Sequence, residues 1–348
     1  AYSALQEKFN ILNVPIYTEM IIGLPGETLD SWKKGIEEVF ETNYENQLSV
    51  YLGEVYPNTE LSNKDYQKKF KIKTKRIKLN EIHCSPKNQK WLQEYQEILV
   101  GSYSMDEQEW CEMMIFSIFT MLFHTMKTGF YILKYLHECV GLEYVSVITM
   151  LLNSKETNIA NLKKEIVDYV NKLLEGEGRG KIYKKYSNNY LEIEEVLFLR
   201  ITENISFYNA VKKTLFDNID NKYHDEISEV IKFQKILIPS FQKESSEVEI
   251  EFKYEVADYF YSDDYQQMIK NDNTLTVFRE GFKDRSDFTN KKVIWARKNG
   301  TNLDENNKSI NFKKSKLINF DINDYKDEKT FSISLFDESH KFEKYITV

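Results

Sequence analysis

A chain of 348 residues with 41% hydrophobic and 29% charged residues is long enough for two domains and too apolar to be disordered. Its net charge of −8, from 47 basic and 55 acidic residues, argues against binding duplex nucleic acid, which calls for a basic surplus or stripe. The cysteines Cys84, Cys111 and Cys139 are too dispersed for a disulfide framework, a zinc site or a redox CxxC, and the expected compartment is reducing, hence cytoplasmic.

No basic-then-apolar leader follows Ala1, and residues 2–12 read as a helix. The most apolar stretch, Met113 to Phe123, is shorter than the about 20 residues a bilayer span needs, so it reads as a buried helix and no membrane span is expected. Ile16 to Ile22 is apolar on both parities, as a strand in a covered parallel sheet is. It stops at Gly23-Leu24-Pro25-Gly26. Thr28, or Glu27 beside it, then caps a helix with Trp32, Ile36, Val39 and Phe40 at helical spacing, ending near Asn43.

Leu48 to Gly53 reads as a second strand, followed by a turn at Tyr56-Pro57-Asn58-Thr59. With no hairpin signal between the strands, the unit is a βαβ crossover. Residues 70–105 read as a basic, irregular or weakly extended arm over the surface, and the lysines Lys68, Lys69, Lys71, Lys73, Lys75 and Lys78 as a solvated face or a site for a phosphate or acidic partner. Residues 106–171 are helical, with breaks at Thr128-Gly129, Gly141 and Asn153-Ser154. The loop Glu175 to Gly180 matches no phosphate-binding fingerprint and reads as a linker. Residues 190–238 are helical again, and strand-like runs follow at Val248–Phe252, Leu275–Phe278, Val293–Ala296 and Phe331–Leu335.

Gly23 has no Cβ, so another backbone or a flat ligand can approach the C-terminal end of the first strand, where barrels and doubly wound sheets place their ligands. The string Ile21-Ile22-Gly23-Leu24-Pro25-Gly26-Glu27-Thr28 resembles the fifth strand and turn of the radical S-adenosylmethionine barrel. Tyr51 to Leu61 resembles the sixth strand and its "Tyr-Pro-Gly-Thr-x-Leu" turn, with Asn58 in place of glycine. Gly101 to Trp110, ahead of an apolar helix, is similar to the tail of the cobalamin-binding, methyltransferase-like members of that family.

The resemblance implies a fold: a partial (β/α) barrel remnant over residues 1–66, a connecting arm and helical region over 67–176, and a helical to α+β C-terminal domain over 177–348. It also implies that Ile21 and Gly23 pack on the adenine of S-adenosylmethionine, and that Tyr51, Leu52 and Gly53 offer it backbone contacts. Glu19 shares the parity of Ile21 and Gly23 and so points the same way, toward cofactor or substrate. In the full-length protein the family would bring S-adenosylmethionine, a four-iron four-sulfur cluster, cobalamin, an electron donor protein and a small-molecule or sugar- or lipid-like substrate. The cluster-binding CxxxCxxC loop is absent from this sequence. The expectation is therefore a truncated chain without radical chemistry of its own, with no catalytic or metal-ligating residue assigned.

The five histidines form no His-x-x-x-His or Glu-x-x-His pair, and His83-Cys84 reads as surface. The acidic pairs Glu194-Glu195 and Asp263-Asp264 read as solvated. Two other readings stand beside the enzyme: a non-catalytic helical interaction module, and a doubly wound nucleotide-sugar transferase. The second needs an Asp-x-Asp motif that Asp321-Ile322-Asn323-Asp324 does not supply.

Overall fold

The computed structural model describes residues 17–44, 47–80, 92–185, 190–204, 206–238, 240–241, 246–261, 267–279, 281–282 and 294–298. The expectations for residues 2–12, Ile16, His83-Cys84, Asp263-Asp264, Asp321–Asp324, Phe331–Leu335 and His340 lie outside them. Two compact units divide the chain, Ala1–Lys184 with Asn188–Leu197, and Lys185–Ser187 with Phe198–Val348.

The first unit opens with strand β1 (Tyr17–Ile22), helix α1 (Leu29–Asn43) and strand β2 (Gln47–Leu52). β1 and β2 pair in parallel, Glu19 opposite Ser49 and Ile21 opposite Tyr51. The junction is set locally. Gly23 and Gly26 hold φ of 95° and 101°, which glycine adopts without steric cost. Thr28 forms a capping box with Ser31, each side chain accepting from the other's backbone N–H. Asn58, where the resembling turn carries glycine, holds φ 67°, a left-handed conformation that asparagine tolerates.

Trp32, Ile36 and Phe40 bury the inner face of α1, and Trp32 Nε1 donates to Ser117 Oγ at 2.8 Å. The buried carboxylate of Glu37 accepts from the backbone N–H groups of Tyr144 (3.0 Å) and Val145 (2.7 Å), satisfying donors at a helix N-terminus.

The described parts of residues 70–105 are extended and ordered into a strand pair rather than irregular. Strands β3 (Lys73–Lys78) and β4 (Tyr95–Gly101) pair antiparallel. Ile98, Leu99 and Val100 of β4 are buried. Apart from buried Ile77, β3 presents mostly lysine and arginine, the composition that keeps an edge strand from pairing further. Ahead of β3 lies a short helix, α2 (Lys64–Lys69), capped by Asn63.

Helix α3 (Glu107–Thr120) runs into a π-helical turn, Met121–Thr125. Helices α4 (Phe130–Glu138), α5 (Tyr144–Leu152) and α6 (Thr157–Leu174) follow, separated near Gly129, Gly141 and Asn153 as the sequence breaks indicate. Met113, Met114, Phe116, Phe119, Leu122 and Phe123 are buried core. Among the described residues, no helix is long and apolar enough to cross a membrane. Two short strands, β5 (Lys181–Ile182) and β6 (Tyr190–Leu191), pair antiparallel ahead of α7 (Ile193–Glu203).

The second unit holds α8 (Phe207–Asn218), α9 (His224–Ile236), the short pair β7 (Ser240–Phe241) and β10 (Gly281–Phe282), and α10 (Val256–Tyr261). Its larger sheet is antiparallel in the order β11 (Ile294–Lys298), β9 (Lys270–Arg279), β8 (Ser246–Tyr254). Phe233 of α9 packs on Phe252 and Phe260, joining that helix to β8 and α10.

Candidate functional site

The C-terminal ends of β1 and β2 bring the sequence-singled residues together. Side chains alternate along a strand, and in this register Glu19, Ile21, Ser49 and Tyr51 share one face. Glu19 is exposed, Ile21 is 49% exposed and Tyr51 is half-buried. Ile22, Leu48 and Leu52, on the opposite face, are buried. Leu52 therefore turns its side chain away from Ile21 and Tyr51.

The two glycines are used by the chain itself. Beyond Leu52 the strand exchanges β1 for β4 as its neighbour: Gly53 N–H donates to Ile22 O at 3.0 Å, and Leu99 N–H donates to Gly53 O at 2.8 Å. A Cβ at Gly53 would lie 2.8 Å from both Ile22 O and Leu99 Cδ1, and one at Gly23 would lie 3.2 Å from Leu99 Cβ. The partner that approaches Gly23 is thus another backbone, that of β4. Trp110 Nε1, fully buried, points to within 3.4 Å of the same position.

Behind β2 sits a charged cluster that sequence reasoning missed. The loop 175–180, read above as a linker, presents Arg179 with its side chain only 18% exposed. Its Nη1 lies 3.6 Å from Glu54 Oε1 and its Nη2 lies 3.4 Å from Glu192 Oε1. Burial works against the guanidinium charge, but Glu192, Tyr169, Glu194 and Glu54 outweigh it and hold the pKa above the ordinary arginine value. Glu194 and Glu195 are not solvated. Glu195 is buried, and its carboxylate accepts from Glu192 N–H at 3.2 Å at the start of α7. Arg179, Tyr169, Glu192 and Glu194 line a cavity of about 30 Å³ with Val50 and Leu52, room for a water molecule or two and no cofactor. The available signal was composition: glycines at alternate positions around one arginine, followed by Glu192-Ile193-Glu194-Glu195 at a helix start.

Burial, with the charge of Glu192, pushes Glu194 up from 4.5 to about 7, against its own backbone N–H and Arg179. A folded state that holds this proton more tightly than the unfolded chain is fully favoured below pH 4.5, and it loses that advantage as pH rises toward 7. The expected loss is on the order of 1–3 kcal/mol. Urea melts at pH 5 and pH 8 test it. Glu194→Gln should flatten the difference, and an unchanged pH response in that variant would contradict the assignment.

The described residues do not fit an iron–sulfur cluster. None of them form a group of three or more His, Cys, Asp or Glu that could hold a metal ion. Cys111 is half-buried, and burial with the charges of Glu107, Glu112 and Asp106 pushes its thiol up to about 11. Cys139 stands apart at the end of α4. His124 is fully buried with Nε2 2.7 Å from Tyr44 O, and burial, with the Lys127 charge, lowers its pKa and keeps it neutral. His137 stacks on Tyr144.

No family model matches the sequence. A curated relative does, and it belongs to the cobalamin-dependent radical S-adenosylmethionine methyltransferases. It is the methyltransferase TokK of Streptomyces tokunonensis, 33% identical over 73 residues, which are 21% of this chain and 11% of the relative. The chain thus matches about a tenth of that protein's length.

Proposed function

We propose that this chain supplies the fifth and sixth strands of a radical S-adenosylmethionine barrel, and that S-adenosylmethionine lies across Glu19, Ile21 and Tyr51 at the ends of β1 and β2. The observation that carries this reading is Ile21. A large apolar side chain 49% exposed beside Tyr51, on a parallel pair closed by the Gly23 turn, is what a flat apolar ring would cover. The 73-residue similarity to a cobalamin-dependent radical methyltransferase supports the same class. The string Ile21 to Thr28, with its likeness to the fifth strand and turn of that barrel, supports the same reading.

In the whole enzyme the reaction class is reductive cleavage of S-adenosylmethionine to modify an unactivated carbon, with methyl transfer where cobalamin takes part. In the whole protein a cluster would supply the electron for that cleavage, held by residues other than those described. The residues here would bind and orient. Ile21 and Tyr51 offer apolar area to the adenine, and Glu19 accepts hydrogen bonds from the polar groups of cofactor or substrate. β4 pairs with the chain just beyond β2, through Gly53 and Glu54.

Isothermal titration of S-adenosylmethionine into the full chain tests this reading. Saturable binding is expected, weakened about tenfold or more by Ile21→Glu, since covering an isoleucine is worth about 1.5–3 kcal/mol. Ile21 is half-exposed, so the variant should fold. No saturable binding by folded protein, or equal binding by both proteins, would sink the proposal.

A further inference from the structure

Three segments far apart in sequence meet beside the turn that ends β1. Gly26 N–H donates to Ser104 Oγ at 2.9 Å, and the Tyr103 hydroxyl lies 3.5 Å from where a Cβ at Gly26 would stand. Tyr103 N–H in turn donates to Phe70 O at 2.9 Å, at the end of α2. The Tyr103 and Phe70 rings lie 6.0 Å apart, and the Tyr66 ring, one turn back along the helix, sits 4.5 Å from Phe70. Tyr103 is 56% exposed, and Phe70 and Tyr66 are half-buried. An aromatic side chain held by its backbone yet open to water offers its face to a second ring.

Lysines border this aromatic strip. Lys69 Nζ lies 4.9 Å over the Phe70 ring, and Lys73 Cδ lies 3.3 Å from where a Cβ at Gly101, two residues before Tyr103, would stand. Lys68, Lys69, Lys71 and Lys73 are exposed, and none forms an ion pair with a described residue, although the whole chain carries a net charge of −8. Two acids close by in sequence, Asp106 and Glu109, are held in the capping box of α3.

A helix C-terminus favours Lys68 and Lys69 in its own right. Lys71 has no such reason. It follows α2 in the left-handed conformation, with φ 49°. Its N–H donates to Lys68 O at 3.3 Å, and Ile72 N–H donates to Gln67 O at 2.9 Å, the two bonds of a Schellman motif. Glycine is the usual residue at this position, because a Cβ there is strained. Here a lysine takes the strain and sets a cation directly after Phe70. Strain of this kind gathers where a side chain is used.

We infer that this strip is a binding site for a flat ring carrying a phosphate group: the ring covers Tyr103 beside Phe70, and Lys69, Lys71 and Lys73 meet the phosphate charge. One exposed ring pair matches a single ring in size, and unpaired cations on its border match a dianion rather than a neutral ligand. The site shares no residue with the Glu19, Ile21 and Tyr51 face and does not depend on S-adenosylmethionine.

The experiment is isothermal titration of naphthyl phosphate into the full chain at low salt, beside inorganic phosphate and naphthol. Saturable binding of naphthyl phosphate is expected, with phosphate and naphthol each about tenfold weaker or more, and the binding should weaken as salt is added. Tyr103→Ala and Lys71→Gly should each weaken it about tenfold, while Lys34→Ala, exposed on α1, leaves it unchanged. Tyr103 and Lys71 are both exposed, so these variants should fold. Lys71→Gly carries a second readout: relief of the left-handed strain should raise its urea midpoint while its binding falls.

A Lys71→Gly protein that binds as well as wild type overturns the inference, and so does full binding by Tyr103→Ala or equal binding of naphthol. Sedimentation of wild type and Tyr103→Ala checks the other occupant, since a dimer that Tyr103→Ala dissolves would put a second copy of the chain on the strip and overturn it too. Naphthyl phosphate binding without S-adenosylmethionine binding leaves this inference standing while the reading of the β1–β2 face falls, and the converse pair of results does the opposite.

Discussion

Trp32→Ala should lower the free energy of unfolding by about 3–5 kcal/mol, among the largest effects open to a single substitution in the first unit. Trp32 is 2% exposed on the inner face of α1, so its removal leaves a cavity the neighbouring helices cannot fully close. Its indole N–H is also the partner of Ser117 Oγ, and that hydroxyl, 1% exposed, would be left buried without its donor. Trp32→Phe keeps most of the volume and loses only the hydrogen bond, so it should cost about 1–2 kcal/mol. Urea denaturation of both variants separates the cavity from the bond. A loss below 1 kcal/mol in Trp32→Ala would show that α1 contributes little to the packing of the unit.

Gly53→Ala should destabilise by about 1–3 kcal/mol and Gly53→Val by more, although each adds only methyl groups. The new Cβ meets a main-chain oxygen, Ile22 O, at 2.8 Å, and main chain held in a strand pair cannot swing aside as a side chain can. Leu99 Cδ1, also at 2.8 Å, belongs to a side chain that can turn. Shortening it by Leu99→Ala in the Gly53→Ala background should therefore recover only part of the loss. Thermal melts of the single and double variants give the comparison, and full recovery would mean that the main-chain contact is soft.

What the sequence makes legible here is what short stretches determine. The Gly23-Leu24-Pro25-Gly26 turn, the Thr28 cap and the helix breaks near Gly129, Gly141 and Asn153 each depend on a few adjacent residues, and each falls where the pattern puts it. The parallel pairing of β1 with β2 is what a single helical crossover between neighbouring strands gives. The strand pair β3–β4 was not legible. Its members are separated by a long segment, and β3 carries only Ile77 as a buried apolar residue among lysines, so period-two alternation is nearly silent.

The candidate site divides the same way. Glu19, Ile21 and Tyr51 are placed on one face by local parity and a simple register. Arg179 reaches Glu54 through the glycine loop pinned to the end of β3, and no residue nearby in sequence announces that meeting. Glu194 and Glu195 look like any acidic helix start, and their burial depends on elements far along the chain.

The π-helical turn Met121–Thr125 has a directional consequence. Val50 N–H donates to Met121 Sδ at 3.2 Å and Thr125 Oγ1 donates to Leu48 O at 2.6 Å, so two of the main-chain groups of β2 that point away from β1 are already spoken for. An incoming strand would find that flank shut. Along Leu48 to Val50, a strand that enlarges this sheet has its free approach on the β1 flank.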